Sequence, residues 1–192
     1  MLFRSIPVIA AGGFFDGRGL VAALAYGAAG VAMGTRFLLT QESTVPDMVK
    51  RYYLGKTVTD TVVTTRIDGL PHRVLRTDFV DDLESGHTIT AIPRAVRNAF
   101  AFKKMSGATW RGMVTEGMAM KREHDLAWSQ MVLAANTPML LRAGLVEGRL
   151  EGGVLSSGQA VGVIDDLPTV AELIARIIGE ADDTLKRLGE LS

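Results

Sequence analysis

Two glycine-ended apolar runs near the start of the chain hold the residue types best suited to chemistry. Ile6-Pro7-Val8-Ile9-Ala10-Ala11 stops at Gly12-Gly13, and Gly30-Val31-Ala32-Met33 stops at Gly34-Thr35. Glycine lets backbone N–H groups come close to a ligand, and successive N–H groups at a turn attract an anion. Thr35 adds a hydroxyl, and Arg36 follows it. Two neighbouring turns of this kind, each leading into a helix, meet the needs of a phosphate group. Taken alone, the pair also fits a plainer reading, in which the glycines only permit tight turns.

The other polar candidates read as structural. His72 lies in a Pro-His-Arg turn, His87 follows Ser85-Gly86, and His124 sits in a charged helix. Each reads as a surface or hydrogen-bonded histidine rather than a base. Trp110 and Trp128 read as core anchors, and Met113, Met118, Met120 and Met131 as fillers between helices. Asp165-Asp166, ahead of Pro168, reads as a charge pair at a helix N-terminus.

The elements that position the glycine turns follow from pattern. Both apolar runs are short enough to be strands buried on both faces. Between them, Asp16 caps a helix from Gly17 to about Tyr26, with Leu20, Ala23, Leu24 and Gly27 on one face. Strand, helix and strand within about thirty residues form a βαβ unit, so the strands run parallel with a right-handed crossover. In such sheets and barrels, ligands bind beyond the carboxyl ends of the strands, where the two glycine turns lie.

Downstream, Pro46 to Leu54 reads as a helix, and Thr57 to Arg66, rich in β-branched residues, as strand-like. Ile67 to Pro71 is a turn. Pro93 to about Met105 and Trp110 to Leu145 have helical spacing, with a break or kink at Thr137-Pro138. Val154-Leu155 reads as a short extended piece, and Ser156 to Gly162 as a loop entering a helical turn. Pro168 to Leu191 is an amphipathic helix with a stripe of Val170, Leu173, Ile174, Ile177 and Ile178.

Composition sets the outer limits. The 192 residues are 47% hydrophobic and 22% charged, which is ample for a core and excludes a disordered chain. Lys plus Arg and Asp plus Glu both number 21, so no net charge points to nucleic acid. No apolar run approaches the length of a membrane span. Zero cysteines exclude a disulfide framework and a thiolate nucleophile, and fit a cytoplasmic protein. Three histidines without helical ligand spacing give no metal site. Local charge is uneven: basic residues dominate Pro93 to His124, and acidic ones Asp165 to Glu190. These read as solvated helix faces or as docking faces between subunits.

The ordered run of Ile6 to Gly13, Asp16-Gly17-Arg18-Gly19, Ala22 to Ala25, Gly27-Ala28 and Gly30 to Phe37 resembles the FMN-phosphate region of the nitronate monooxygenase family. That family was formerly called 2-nitropropane dioxygenase, and it includes an FMN-dependent enoyl-acyl-carrier-protein reductase. Ser156 to Asp166 resembles the family's closing segment before its last helix. The resemblance implies an α/β fold, the C-terminal part of an FMN-binding TIM barrel (its last two β/α units), with an added mainly helical region. It divides the chain into a barrel part at 1–45 and 150–192 and an appended part at 46–149.

By the same resemblance, Gly12, Gly13, Gly34 and Thr35, with Ala11 adjoining, bind the FMN phosphate, and Ser157 and Gln159 lie near the flavin. The implied activity is oxidation of alkyl nitronates by dioxygen to a carbonyl compound and nitrite. The rivals are an enoyl-thioester reductase, which would need NAD(P)H, and a non-catalytic fragment that binds a phosphorylated ligand or a partner chain. The first strand here resembles the family's seventh, and the segment with the family's catalytic histidine lies upstream of the Ala-Gly-Gly turn. No catalytic base is therefore assigned. Two parallel strands cannot close a barrel. The expectation is a chain that is marginal alone, self-associating, or completed by another chain.

Overall fold

The computed structural model describes residues 6–85 and 136–191. The expected helices at 93–105 and 110–135 lie outside the described residues, as do His87, His124, both tryptophans and the basic run. Two compact units divide the chain at Thr61/Val62 and at Ser156/Ser157.

The first unit is built on a parallel strand pair. β1 (Ile9–Ala11) pairs with β2 (Gly30–Ala32) in the register Ile9 to Gly30, Ala10 to Val31 and Ala11 to Ala32. The crossover between them is α1 (Gly17–Ala25), so the βαβ unit forms as its pattern requires. Asp16 caps α1 by accepting from the Gly19 N–H at 2.8 Å. β2 leads into the short α2 (Gly34–Leu38), then α3 (Asp47–Leu54) with Pro46 at its N-cap. The strand-like reading of Thr57 onward holds in part. Thr57 and Asp60 close a reciprocal cap over a 3-10 turn at Val58–Asp60, and β3 begins only at Thr61.

The chain returns to this unit through a 3-10 turn at Gln159–Val163 and ends in α6 (Val170–Gly189). Thr169 and Glu172 form a capping box at the start of α6. α6 packs on α1 through Leu173, Ile177 and Ala181, while α1 offers Gly17, Val21 and Ala23. This face is rotated from the one expected. Leu24 on α1 and Ile174 and Ile178 on α6 are exposed, because the helices meet at the Gly17 end, where α1 has no side chain.

The second unit takes β3 (Thr61–Thr64) from Val62 onward and β4 (His72–Leu75) as a two-stranded sheet, then α4 (Asp78–Glu84) and α5 (Asn136–Leu145). β4 and α4 were not anticipated. His72 and Arg73 leave β4 with no apolar alternation, and α4 is seven residues that open on a Thr77 cap. Ile67, Val74, Val80, Leu140 and Val154 form the core of this unit. Beside Val154-Leu155, Ser156 forms an isolated antiparallel bridge with Val74, and the Leu75 N–H donates to the Leu155 carbonyl at 2.8 Å. Pro138 lies within α5 near its first described residue.

The closest approach of α1 to α6 is set by one missing side chain. A Cβ at Gly17 would lie 2.2 Å from the Ile177 carbonyl oxygen and 2.4 Å from the Ala181 nitrogen, both backbone atoms. Gly17→Ala is therefore expected to destabilise the unit by about 1–3 kcal/mol through overpacking. Gly179→Ala, on α6 where a Cβ meets nothing, is expected to stabilise by about 0.5–1 kcal/mol. Urea unfolding of the two variants checks the contrast, and equal effects would remove the close-packing account.

Candidate functional site

The parallel register brings the two glycine turns together. Ala11 pairs with Ala32, so Gly12-Gly13 and Met33-Gly34 leave the sheet side by side at its carboxyl end. Gly12 and Gly13 have φ of +95° and +83°, a left-handed conformation that side chains rarely adopt. A Cβ built at Gly12, Gly13 or Gly34 meets nothing within 4 Å. The three residues therefore border open space rather than packed protein, and Ala11 is exposed beside them.

Thr35 links this corner to the end of the chain. Its Oγ1 accepts from the Gly158 N–H at 2.8 Å. Among the described residues its own proton has no acceptor, so it is free to donate to a ligand oxygen. Ser157, buried, donates its hydroxyl to the Gly158 carbonyl at 3.0 Å, which stiffens the same loop. Gln159 follows, exposed, at the start of the 3-10 turn. Gly12, Gly13, Gly34 and Thr35 thus sit at one sheet end, and the Ser157–Gln159 loop is tied to that end through Thr35.

Arg36, read in the sequence only as a nearby cation, has an internal role. Its side chain is 4% exposed. One terminal nitrogen donates to Asp166 Oδ1 at 2.8 Å, and the other to the Leu39 carbonyl at 2.9 Å and the Asp166 carbonyl at 3.0 Å. Its Nε is buried without a partner among the described residues. Asp166 also takes Arg176 at 2.7 Å. The expected helix-terminus role for Asp166 is corrected: α6 is capped by Thr169, and Asp166 neutralises a buried guanidinium. Spacing gave no signal for this pair, which is separated by 130 residues.

The second unit has its own polar cluster. Buried Asp68 accepts from the Leu70 N–H at 2.9 Å, from Thr137 Oγ1 at 2.8 Å and from His72 Nε2 at 2.8 Å. His72 is hydrogen-bonded, as expected. Burial pushes the Asp68 carboxyl up, but the three donors outweigh it and hold it below the usual range.

Asp166 behaves in the same way. Partial burial raises its carboxyl, while hydrogen bonds and charge from Arg176 and Arg36 bring it below the ordinary value. A carboxyl lowered by folding contributes stability that is full above its unfolded value of about 3.9 and is lost as pH falls through the folded value. Asp166→Asn is expected to cost about 2 kcal/mol at neutral pH, below the range for fully buried pairs because Asp166 is partly wet. That gap should shrink near pH 3. Urea unfolding at the two pH values checks it, and a gap independent of pH would refute the electrostatic assignment.

Known proteins place this geometry in a family. The nitronate monooxygenase family profile matches residues 3–180. A 5-hydroxy-7a-methyl-1-oxo-octahydro-1H-indene-4-carboxyl-CoA dehydrogenase of Mycobacterium tuberculosis is 62% identical over 176 residues, 92% of this chain and 50% of that protein. A probable nitronate monooxygenase of Staphylococcus saprophyticus is 36% identical over 132 residues, 65% of this chain and 37% of that protein. The structure of FabK from Thermotoga maritima superposes with a TM-score of 0.67 at 33% identity, covering 98% of this chain and 48% of that one. The chain spans about half the length of the M. tuberculosis relative it matches. It belongs to the nitronate monooxygenase family, a family of oxidoreductases, and its fold is part of a TIM-barrel type.

Proposed function

We propose that this chain carries the FMN-phosphate clamp of an oxidoreductase that acts on a CoA thioester. The observation that carries the substrate class is the 62% identity, over 92% of the chain, to an indene-carboxyl-CoA dehydrogenase. In this reading β1–α1 and β2–α2 are the last two β/α units of the barrel. Residues 1–45 and 150–192 are its barrel part, and 46–149 its appended part.

The residues fit the cofactor. Gly12, Gly13 and Gly34 leave room that any Cβ would narrow, and Thr35 has a hydroxyl proton to give. Ala11 flanks the phosphate, while Ser157 and Gln159 belong to the loop assigned to the flavin side. FMN, when bound, supplies a two-electron acceptor. The work of this chain is to hold the phosphate and so fix the ring against the substrate. Proton transfer is assigned to none of its residues.

A second reading, oxidation of an alkyl nitronate by dioxygen to a carbonyl compound and nitrite, is favoured by the family's description and by the S. saprophyticus relative. An enoyl-thioester reductase would differ from both in requiring NAD(P)H.

The clamp and the substrate are tested separately. At Gly34 an added side chain meets no protein atom, so Gly34→Val is expected to cost less than about 1 kcal/mol of stability. If the phosphate lies there, FMN affinity should fall about tenfold or more. Flavin retention unchanged in a folded variant would sink the clamp. For the substrate, the FMN-loaded chain, completed with the remaining half of the M. tuberculosis relative, is mixed anaerobically with a hydrindane carboxyl-CoA thioester or with propane-2-nitronate. Loss of oxidised-flavin absorbance with the thioester is the expected result. Bleaching by the nitronate alone would reverse the order of the two readings.

A further inference from the structure

α3 carries a buried cation that the core does not need and the proposed clamp does not touch. The inward face of α3 is Val49, Lys50 and Tyr53. Lys50 is 2% exposed, although a lysine is almost never fully buried unless it is paired. The other cations of this stretch behave ordinarily. Arg51 is exposed, and the Lys56 ammonium sits 4.3 Å from the centre of the Tyr52 ring.

Among the described residues Lys50 has one close partner. Its Nζ donates to the Gln41 carbonyl at 3.1 Å. Asp47 Oδ1 stands 3.7 Å away, on a side chain that is 84% exposed, and such a pair returns little. Taking an ammonium out of water is costly, and one carbonyl is a small return. Stability alone therefore does not account for a lysine at this position.

The bond joins segments that support the glycine corner. The Gln41 N–H donates to the Pro168 carbonyl at 3.0 Å, and its side-chain amide to the Leu167 carbonyl at 3.1 Å. Two residues earlier, the Leu39 carbonyl accepts from Arg36 at 2.9 Å. Gln41 is thus the point where the exit of α2, the approach to α6 and, through Lys50, α3 meet. α2 and α3 both pack on the Gln159–Val163 turn. That turn has no slack on its other side, because a Cβ at Gly162 would lie 2.5 Å from the Val58 nitrogen. A change in the angle of α3 to α2 therefore moves the turn against Thr35, whose Oγ1 holds the Gly158 N–H.

We propose that Lys50 is a positioning residue of the glycine corner: its buried ammonium fixes α3 to the exit of α2, and so holds Thr35 and the Gln159–Val163 turn in one arrangement. That this arrangement serves a phosphate rests on the reading above, so the test has two parts. Backbone amide exchange is measured first, on the chain without flavin. Lys50→Met keeps an apolar stem and removes the donor. Its Gln41 and Gly158 amides should exchange about tenfold or more faster than in the parent. The Ala29 amide, which donates to the Val8 carbonyl, and the Gly19 amide under its Asp16 cap should keep their rates. Lys50→Arg, which retains a cation, should restore most of the protection at Gly158. Unchanged exchange at Gly158 in Lys50→Met, a Lys50→Arg variant no better than Lys50→Met, or an equal loss at Ala29 and Gly19 would each overturn the proposal. The last would make Lys50 a support of the whole unit.

Affinities for FMN and riboflavin are then compared in the chain completed as for the substrate test. Riboflavin lacks the phosphate, so Lys50→Met should weaken FMN by about tenfold and leave riboflavin unchanged. Equal weakening of both would overturn the link to the corner. A parent that binds both equally would count against the phosphate clamp, and amide exchange would still decide the role of Lys50.

Discussion

Two consecutive side chains, Thr35 and Arg36, hold the end of the chain against its beginning. Thr35 accepts the Gly158 N–H, and Arg36 grips Asp166 through both its carboxylate and its carbonyl. The segment from 158 to 166 is therefore fixed at both ends by adjacent residues of one short helix. Arg36 is the stronger constraint. A guanidinium removed from water needs its charge neutralised, and the returning segment does this through Asp166. With Asp166 in place, the Ser157–Gln159 loop has little freedom beside the second glycine turn. A neutral residue at 36 would leave Thr35 to hold that loop with a single hydrogen bond.

The close packing of α1 on α6 at Gly17 also carries a hydrogen bond. Glu180 on α6 accepts from the Gly17 N–H at 2.8 Å, which supplies a partly buried partner to the first turn of α1. Asp16 accepts from Gly19 and pairs with Arg18. The N-terminus of α1 is thus satisfied twice, by its own cap and by a carboxylate from the facing helix. The Gly17 and Gly19 N–H groups of α1 donate to carboxylates within the protein. The backbone of the glycine turns, which borders open space, is what remains for a ligand.

Much of this was legible in the sequence, and the reasons are local. Asp16 before a helical pattern, glycine after each apolar run and a strand–helix–strand spacing each follow from short-range chemistry. The failures share a cause. β-branched residues from Thr57 onward point to a strand, yet the Thr57–Asp60 cap diverts Val58–Asp60 into a 3-10 turn. Leu24, Ile174 and Ile178 look like core in any periodicity, yet they are exposed because the interface is centred on a glycine. Arg36 and Asp166 are 130 residues apart, and no local pattern pairs them. His72 was read correctly as a hydrogen-bonded residue, but its partners Asp68 and Thr137 were not identifiable.

Exposed apolar side chains and an open glycine corner make different demands, and the first unit keeps them apart. The residues proposed for the clamp are positioned by bonds internal to the unit: the β1–β2 register, Thr35 to Gly158 and Arg36 to Asp166. Val8, Ile9 and Tyr26, by contrast, lie where no described element covers them. Cover for those residues comes from burial of area, which is non-directional and tolerates variation in the partner. Placement of a phosphate comes from directed donors, which do not tolerate it.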